Sequence, residues 1–153
     1  MLPLEGPDAE WYAHAGNRAL DPFLAGRTPE RSAGFLLPWL HPGLDLLDCG
    51  CAFGTITRGF VPYVAPGRVV GVDADAGQVA RALALNTGLE PAPEFRVASI
   101  YALPFAAATF DVVYAGQILW HLRDLAAALR EMRRVLRPGG RVAVFDARVG
   151  RTL

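Results

Sequence analysis

A glycine-bearing turn and a later acidic residue are the parts of this chain that could do chemistry together. The stretch Leu46–Gly54 breaks from an apolar run into a turn that opens a helix, and the next apolar run, Val69–Val72, ends in Asp73. A strand, a tight turn, a helix and a second strand ending in an acid form a nucleotide-binding βαβ unit. Glycines let the backbone approach a ligand closely, and the acid accepts hydrogen bonds from ribose hydroxyls. The sequence therefore predicts a ligand with an adenosine-like or other ribosyl group.

The spacing of the glycines distinguishes three classes of nucleotide-binding turn. A dinucleotide fingerprint needs Gly-x-Gly-x-x-Gly, but Ala52 and Thr55 occupy its second and third glycine positions. A Walker-type phosphate loop ends in Gly-Lys-Ser/Thr, and the chain contains no lysine. The remaining pattern is acid-x-Gly-x-(Gly)-x-Gly, formed by Asp48, Gly50, Ala52 and Gly54. An NAD-dependent oxidoreductase fits the strand, turn and helix but fails this glycine spacing.

Composition excludes several classes of partner. Fifteen basic and fifteen acidic residues give a formal net charge of zero, so no global field attracts nucleic acid or an anionic membrane. No apolar run approaches the ~18 residues that cross a bilayer, and the N-terminus lacks a signal-peptide pattern. We therefore expect a cytoplasmic protein without a membrane span or a nucleic-acid partner. Cys49 and Cys51 lie in one turn and are interpreted as small packed residues, not as metal ligands.

From residue 44 onward, apolar runs alternate with helical patterns, which predicts a parallel sheet with helices on both faces. Asp75 and Gln78 form a capping-box pattern that predicts a helix to about Leu85. A last helix is predicted from its cap, Asp124, to a Pro-Gly-Gly stop, and its apolar stripe over Leu125–Leu136 is predicted to lie in the core. The predicted strands are 44–49, 68–73, 95–97, 110–115 and 141–146.

The first 40 residues form a separate N-terminal part in this interpretation, and residues 41–153 form the ligand-binding domain. Residues 1–27 have no regular pattern, whereas Thr28-Pro29 is typical of a helix N-cap followed by proline. The apolar spacing that follows predicts a short amphipathic helix, which Pro38 kinks or shortens. Two interpretations of the N-terminal part stay open, a helix packed against the sheet edge and a lid over the ligand.

Five stretches, in order, resemble the class I S-adenosylmethionine (SAM)-dependent methyltransferases, in particular those of ubiquinone/menaquinone-biosynthesis type. The resemblance extends over about residues 28–147. It implies a Rossmann-like, doubly wound α/β fold with strand order 3-2-1-4-5, SAM as cofactor, and methyl transfer to a small-molecule acceptor. The chain departs from the family at Ala52, where glycine is usual. The stretches are Leu46–Thr57, Val69–Asp73, Tyr101–Phe105, Phe110–Val113 and Leu129–Gly140.

The resemblance also implies which residues bind the methionine and ribose parts of SAM. Gly50, Cys51 and the turn to Gly54 would face the methionine part, with Asp48 near its amino group. Asp73 would hold the ribose. Methyl transfer from a sulfonium depends mainly on proximity and orientation, so no catalytic residue is assigned.

Residues further along the chain would complete the site. Ala74 would lie against the adenine. Ser99, followed by Ile100, stands where the family usually has an acid that accepts a hydrogen bond from the adenine amino group. Two roles stay open for Ser99, a contact with the adenine and a hydrogen bond within its own loop. Gly116 and Gln117 would form the floor of the methyl-transfer site.

The family usually continues beyond the fifth strand with a helix and two more strands, which this chain is expected to lack. Three alternatives follow from that expectation. The chain is a fragment or truncated product, it dimerises through the exposed edge of the fifth strand, or it binds cofactor without efficient transfer. The alternative function is therefore a catalytically impaired or fragmentary SAM-binding protein with a binding or regulatory role.

Overall fold

The computed structural model describes residues 21–146, in which five parallel strands form one sheet in the order β3-β2-β1-β4-β5. This confirms the predicted α/β fold class and strand order. Residues 1–20, most of the stretch predicted to be irregular, lie outside the described part. The strands are β1 (Leu46–Cys49), β2 (Val69–Asp73), β3 (Glu94–Val97), β4 (Phe110–Gly116) and β5 (Leu136–Phe145). The helices are α1 (Asp21–Ala25), α2 (Pro29–Ser32), α3 (Thr55–Val64), α4 (Ala76–Leu85) and α5 (Leu125–Val135).

Alternate side chains of the central strands enter two hydrophobic clusters on opposite faces of the sheet. On one face Leu46 and Tyr114 pack with Phe60 of α3, and the rings of Phe60 and Tyr114 meet edge to face at 5.3 Å. On the other face Leu47 packs with Met132 of α5. Both faces of β1 are buried, as expected for a parallel sheet between two layers of helix.

The N-terminal helix is shorter than the sequence predicts. Thr28 caps α2 as predicted, but the helix ends at Ser32. Ala33 already leaves the helical conformation, with φ −140°, and a separate 3-10 turn over Leu37–Trp39 has Pro38 in its first turn, where no N–H is needed. Residues 21–25 form the short helix α1, although no regular structure was expected for them.

The last helix begins where predicted, but its apolar stripe is narrower. Asp124 caps α5 by accepting a hydrogen bond from a backbone N–H of the first turn. Ala128 and Met132 are fully buried, whereas Leu125 is 44% and Leu129 is 39% exposed. The prediction that the whole stripe is core is therefore wrong, because only one edge of it lies over the sheet.

The boundary between α5 and β5 also differs from the prediction. The helix ends before the Pro-Gly-Gly stop, and β5 begins at Leu136 rather than at Arg141. Phe110 pairs with Leu136 while Val112 pairs with Arg141, so the residues between them form an irregularity in the strand. Gly139 lies inside it with φ +80°. The Pro-Gly-Gly sequence is thus part of the strand and does not stop the helix.

Ion pairs fix the start of β5 to the central strands. The guanidinium of Arg137 donates to carboxylate oxygens of Asp111 at 2.7 Å and of Asp45 at 3.0 Å. Asp45 also lies 3.5 Å from Arg68. Burial raises the pKa of Asp45, but hydrogen bonds from Arg68 and Arg137 outweigh it, so the pKa of this carboxyl lies below its ordinary value.

We expect Arg137→Met to lower the free energy of unfolding by about 1–2 kcal/mol, because two partly buried carboxylates lose a charged donor. Arg133→Met, an exposed change on α5, should alter it by less than about 0.5 kcal/mol. Urea unfolding at low and high salt measures both, and salt should narrow the difference between Arg137→Met and the unmodified chain. Equal stability of the two variants would contradict this assignment.

Candidate functional site

A cleft opens at the carboxyl end of β1, where the chain turns into α3. It contains about 260 Å³ of empty space, part of which is open to solvent. In open parallel sheets, ligands bind beyond the carboxyl ends of the strands where the strand order reverses, and here β1 lies between β2 and β4. The cleft is lined by Leu24, Arg27, Asp48, Gly50, Cys51, Ala52, Phe53, Thr55 and Ile56.

Glycine is required at two positions of the turn, for reasons of conformation and of packing. Gly50 has φ +74° and Gly54 has φ +81°, a region that side chains disfavour. A Cβ at Gly50 would lie 2.4 Å from a methyl carbon of Ile118, and one at Gly54 would lie 2.4 Å from the ring of Phe95. Both predicted glycine positions are therefore essential to the shape of the turn.

Asp73 holds this turn together. Its Oδ2 accepts a hydrogen bond from the N–H of Ala52 at 2.8 Å, and its Oδ1 accepts one from the N–H of Asp75 at 2.9 Å. The residue is 2% exposed. Ala52 adopts φ +49° in this arrangement, so the alanine that replaces the usual glycine is held in the left-handed region. The contact of Asp73 with a ribose stays a prediction.

The N-terminus of α4 differs in one detail from the predicted capping box. Asp75 caps the helix by accepting from the N–H groups of Gly77 and Gln78. The reciprocal bond to the side chain of Gln78 is replaced, because the N–H of Asp75 donates to Asp73. Asp73, at the end of β2, thus accepts the hydrogen bond that Gln78 would accept in a complete capping box.

Asp48 is a buried acid at the cleft. It is 2% exposed, and its Oδ2 accepts a hydrogen bond from the hydroxyl of Thr57 at 2.7 Å. Burial raises the pKa of Asp48 to about 7, against the hydrogen bond from Thr57 and the charge of Arg27, which lower it. A cation placed in the cleft would favour the ionised carboxylate.

Arg27 is a residue of the site that the sequence did not identify. Its guanidinium donates to the carbonyl oxygen of Gly116 at 3.4 Å, at the end of β4. Its charge also lowers the pKa of Asp48, so the two groups are close enough to interact. The Thr28-Pro29 helix start could locate Arg27 just before a helix. The position of that helix beside the cleft depends on contacts distant in sequence.

Four other predicted residues lie at the carboxyl edge of the sheet but, like Gly54 and Asp73, do not line the cleft. Ala74 follows β2 and is partly exposed. Ser99 accepts a hydrogen bond at 3.2 Å from a backbone N–H two residues later, which is the local role left open for it. Ile100 packs against the cluster beneath α5. Gln117 has φ +62°, and its backbone N–H donates to the end of β5 at 2.6 Å.

The side chain of Cys51 packs with Val79, Ala82 and Phe95 beneath the turn. It is 7% exposed, and burial raises the pKa of its thiol. Among residues 21–146, no three His, Cys, Asp or Glu side chains are grouped so that they could hold a metal ion. No helix in the same range is long and apolar enough to cross a membrane.

Comparison with known proteins finds methyltransferases. Residues 47–144 match a family described as a methyltransferase domain. The chain is 38% identical over 147 residues to the uncharacterized methyltransferase C1B3.06c of Schizosaccharomyces pombe, covering 92% of this chain and 53% of that protein. It is 41% identical over 110 residues to the ubiquinone/menaquinone biosynthesis C-methyltransferase UbiE of Hahella chejuensis, covering 70% of this chain and 44% of that protein.

Solved structures give a similar result. The fold resembles that of an S-adenosylmethionine-dependent methyltransferase from Mesorhizobium loti, with a TM-score of 0.67 and 27% identity. The match covers 79% of this chain and 53% of that one. The chain therefore spans about half the length of the relatives that it matches.

We expect Ala52→Gly to raise the free energy of unfolding by about 0.5–1 kcal/mol. Relief of the left-handed conformation contributes about 1–2 kcal/mol, and the greater freedom of glycine in the unfolded chain offsets part of it. Ala80→Gly, at an exposed position inside α4, should lower it by about 0.5–1 kcal/mol. Urea unfolding distinguishes them, and a loss of stability in both variants would contradict the strain at Ala52.

The raised pKa of Asp48 predicts a pH-dependent effect of Asp48→Asn. Between its ordinary pKa of 3.8 and its folded pKa of about 7, the folded chain binds this proton and the unfolded chain does not. The contribution of Asp48 to stability therefore falls as pH rises, by at most roughly 1.4 kcal/mol per pH unit. Urea unfolding from about pH 5 to about pH 7 should show the asparagine variant gaining stability relative to the unmodified chain. A constant difference across this window would contradict the buried acid.

Proposed function

Because the chain belongs to the methyltransferase domain family, we propose that it binds SAM at the cleft and transfers the methyl group to a small-molecule acceptor. One observation carries the proposal. The cleft combines the glycine turn after β1 with a buried carboxylate, Asp48, at the edge of the sheet where this family is expected to bind its donor. The bound donor supplies an electrophilic methyl group, so the residues of the chain need to bind and orient it.

We assign the cleft to the methionine part of the donor. Helix α3 begins at Gly54 without a side-chain cap, and Thr55 and Ile56 of its first turn line the cleft. The N-terminus of a helix favours a negative group such as a carboxylate. Asp48 provides an acceptor for an ammonium group. Both ends of an amino-acid tail thus have a complementary partner.

The ribosyl and adenine parts are assigned to neighbouring strand ends. We assign Asp73 to the ribose, whose hydroxyls donate to an acid at the end of the second strand in nucleotide-binding folds of this kind. We assign Ala74, Ser99 and Ile100 to the adenine, and Gln117 to the end where the methyl group is transferred. A cytoplasmic location, the lack of a nucleic-acid partner and dimerisation through β5 also remain predictions.

A second candidate is a SAM-binding protein that does not transfer the methyl group by itself. Two observations favour it: Ala52 is held at φ +49° where this family usually has glycine, and Ser99, in the place of the usual acid, already accepts a hydrogen bond within its own loop. Incubation with methyl-labelled SAM and an extract of small metabolites separates the two functions. Label in a product supports transfer, whereas intact SAM binding without labelled product supports the second candidate.

We expect the unmodified chain to bind S-adenosylhomocysteine in isothermal titration calorimetry, and Gly50→Ala to weaken that binding at least about 10-fold. The added methyl group would approach Ile118 to 2.4 Å and displace the turn. Gly88→Ala is the matched control, because Gly88 has φ +79° with nothing within 4 Å of an added Cβ. Both variants should lose about 1 kcal/mol of stability, and only Gly50→Ala should lose affinity. No binding by the unmodified chain at millimolar ligand rejects the proposed function.

A further inference from the structure

Asp146 directly follows β5, at the edge of the sheet to which Gln117 and the transfer of the methyl group are assigned. We propose that Asp146 is the general base of the transfer and removes the proton from an O–H or N–H group of the acceptor. The inference rests on the proposed function and deepens it, because it names the class of acceptor. An acceptor without such a proton, for example a thioether or a tertiary amine, lies outside that class.

The pairing of β4 with β5 fixes the position of Asp146. Gly116 is in register with Phe145, and the N–H of Gln117 donates to the carbonyl of Phe145 at 2.6 Å. Gln117 and Asp146 are the residues that follow this registered pair. Because parallel strands end at the same edge of a sheet, Asp146 lies beside the end of β4, on the same edge as the cleft.

The carboxylate of Asp146 is held over the turn that leaves β4. Backbone N–H groups of Leu119, Ile118 and Gln117 form hydrogen bonds with it. Gln117 has φ +62°, and successive N–H groups beside a left-handed residue form a concave site for an anion. Asp146 is nevertheless exposed, so an acceptor at the end of β4 can reach its carboxylate.

The surroundings of Asp146 also suit a base. Partial burial raises its pKa, the hydrogen bonds from the three N–H groups lower it by less, and the pKa lies above its ordinary value. A carboxylate with a raised pKa takes a proton near neutral pH more readily than an ordinary carboxylate does. Asp146 therefore combines access for an acceptor with the basicity that proton removal needs.

A series of polar groups connects Asp146 with the cleft. Arg27 lines the cleft and donates to the carbonyl of Gly116. An added Cβ at Gly116 would lie 2.4 Å from the hydroxyl of Tyr114, which places this hydroxyl at the end of β4. Burial is the main cause of the raised pKa of Tyr114, and the charges of Asp48 and Asp146 add to it. The hydroxyl is thus close to both acids, and the acceptor side of the cleft extends across the end of β4 to Asp146.

The proposed step balances without a further reactant. The carboxylate of Asp146 takes the proton of the O–H or N–H group, and the electron pair left on the acceptor forms the bond to the methyl carbon. The carbon–sulfur bond of the donor breaks, and its electron pair stays on sulfur. The proton then passes from Asp146 to water. The donor loses its positive charge as the proton is released, so charge is conserved.

Methyl transfer and donor binding, measured on the same variants, test the inference. Methyl-labelled SAM with an extract of small metabolites reports transfer, and calorimetry with S-adenosylhomocysteine reports binding on the donor side. Asp146→Asn should lower the labelled product about 100-fold or more and keep the affinity for S-adenosylhomocysteine within about 2-fold. Asp124→Asn, the same change at another exposed acid, is the matched control. It should keep both properties, because asparagine caps α5 as well as aspartate does.

Added formate distinguishes a base from a residue that only shapes the turn. Asp146→Ala leaves space at an exposed position, where a small carboxylate can take the proton in place of the missing side chain. Sodium formate should therefore raise transfer by Asp146→Ala at least about 10-fold, whereas sodium chloride at the same concentration should not. Transfer by the unmodified chain should respond to neither salt.

Each other outcome overturns the inference in a recognisable way. If Asp146→Asn transfers normally, the proton leaves without Asp146, and the proposed function stands. Equal losses of transfer and of S-adenosylhomocysteine affinity, or no recovery with formate, assign Asp146 to the shape of the turn. If the unmodified chain binds S-adenosylhomocysteine but labels no product, transfer fails together with the inference and the second candidate function holds. If it does not bind S-adenosylhomocysteine, the proposed function itself fails. Thermal unfolding of each variant confirms that folded proteins are compared.

Discussion

The carboxylate of Asp73 is the interaction on which the rest of the site depends. Its two oxygens accept from the N–H groups of Ala52 and Asp75, so one side chain joins the turn after β1 to the start of α4. Hydrogen bonds to a charged acceptor contribute about 1.5–3 kcal/mol each. A residue such as Ala52 costs about 1–2 kcal/mol in the left-handed region. The bond from the N–H of Ala52 is large enough to offset that cost, which explains how the turn keeps its shape without the usual glycine.

The same turn determines the electrostatics of the cleft. Asp48 is buried beneath it, and the nearby charge of Asp73 adds a smaller increase to a pKa that burial has already raised to about 7. The positive charge of Arg27 acts in the opposite direction. A cationic group in the cleft would stabilise the ionised form. Binding of such a group would therefore be coupled to release of a proton from Asp48.

Local patterns predicted the elements and the turn, whereas contacts between distant residues decided what they missed. The strands, the helix caps and the two glycine positions follow from apolar spacing and backbone geometry over a few residues, whereas the strand order was implied by the family resemblance. At the start of β5, Arg137 pairs with Asp45, which is distant in sequence. The same part of the strand is where its pairing with β4 is irregular. The position of Arg27 beside the cleft depends on the packing of Pro29 against Gly59. No periodicity in the sequence reports either contact.

The stretches that carry the family resemblance divide into scaffold and site. Arg134 donates to the carbonyls of Leu103 and Phe105, and Glu131 accepts from the N–H of Leu103, so the 101–105 stretch is bound to α5. These two stretches fix the connection between β3 and β4 and do not line the cleft. Arg27 lines the cleft, yet it precedes the region of resemblance, which begins at about residue 28. Shared motifs in this fold therefore identify the scaffold first, and contacts that distinguish one ligand group from another can lie outside them.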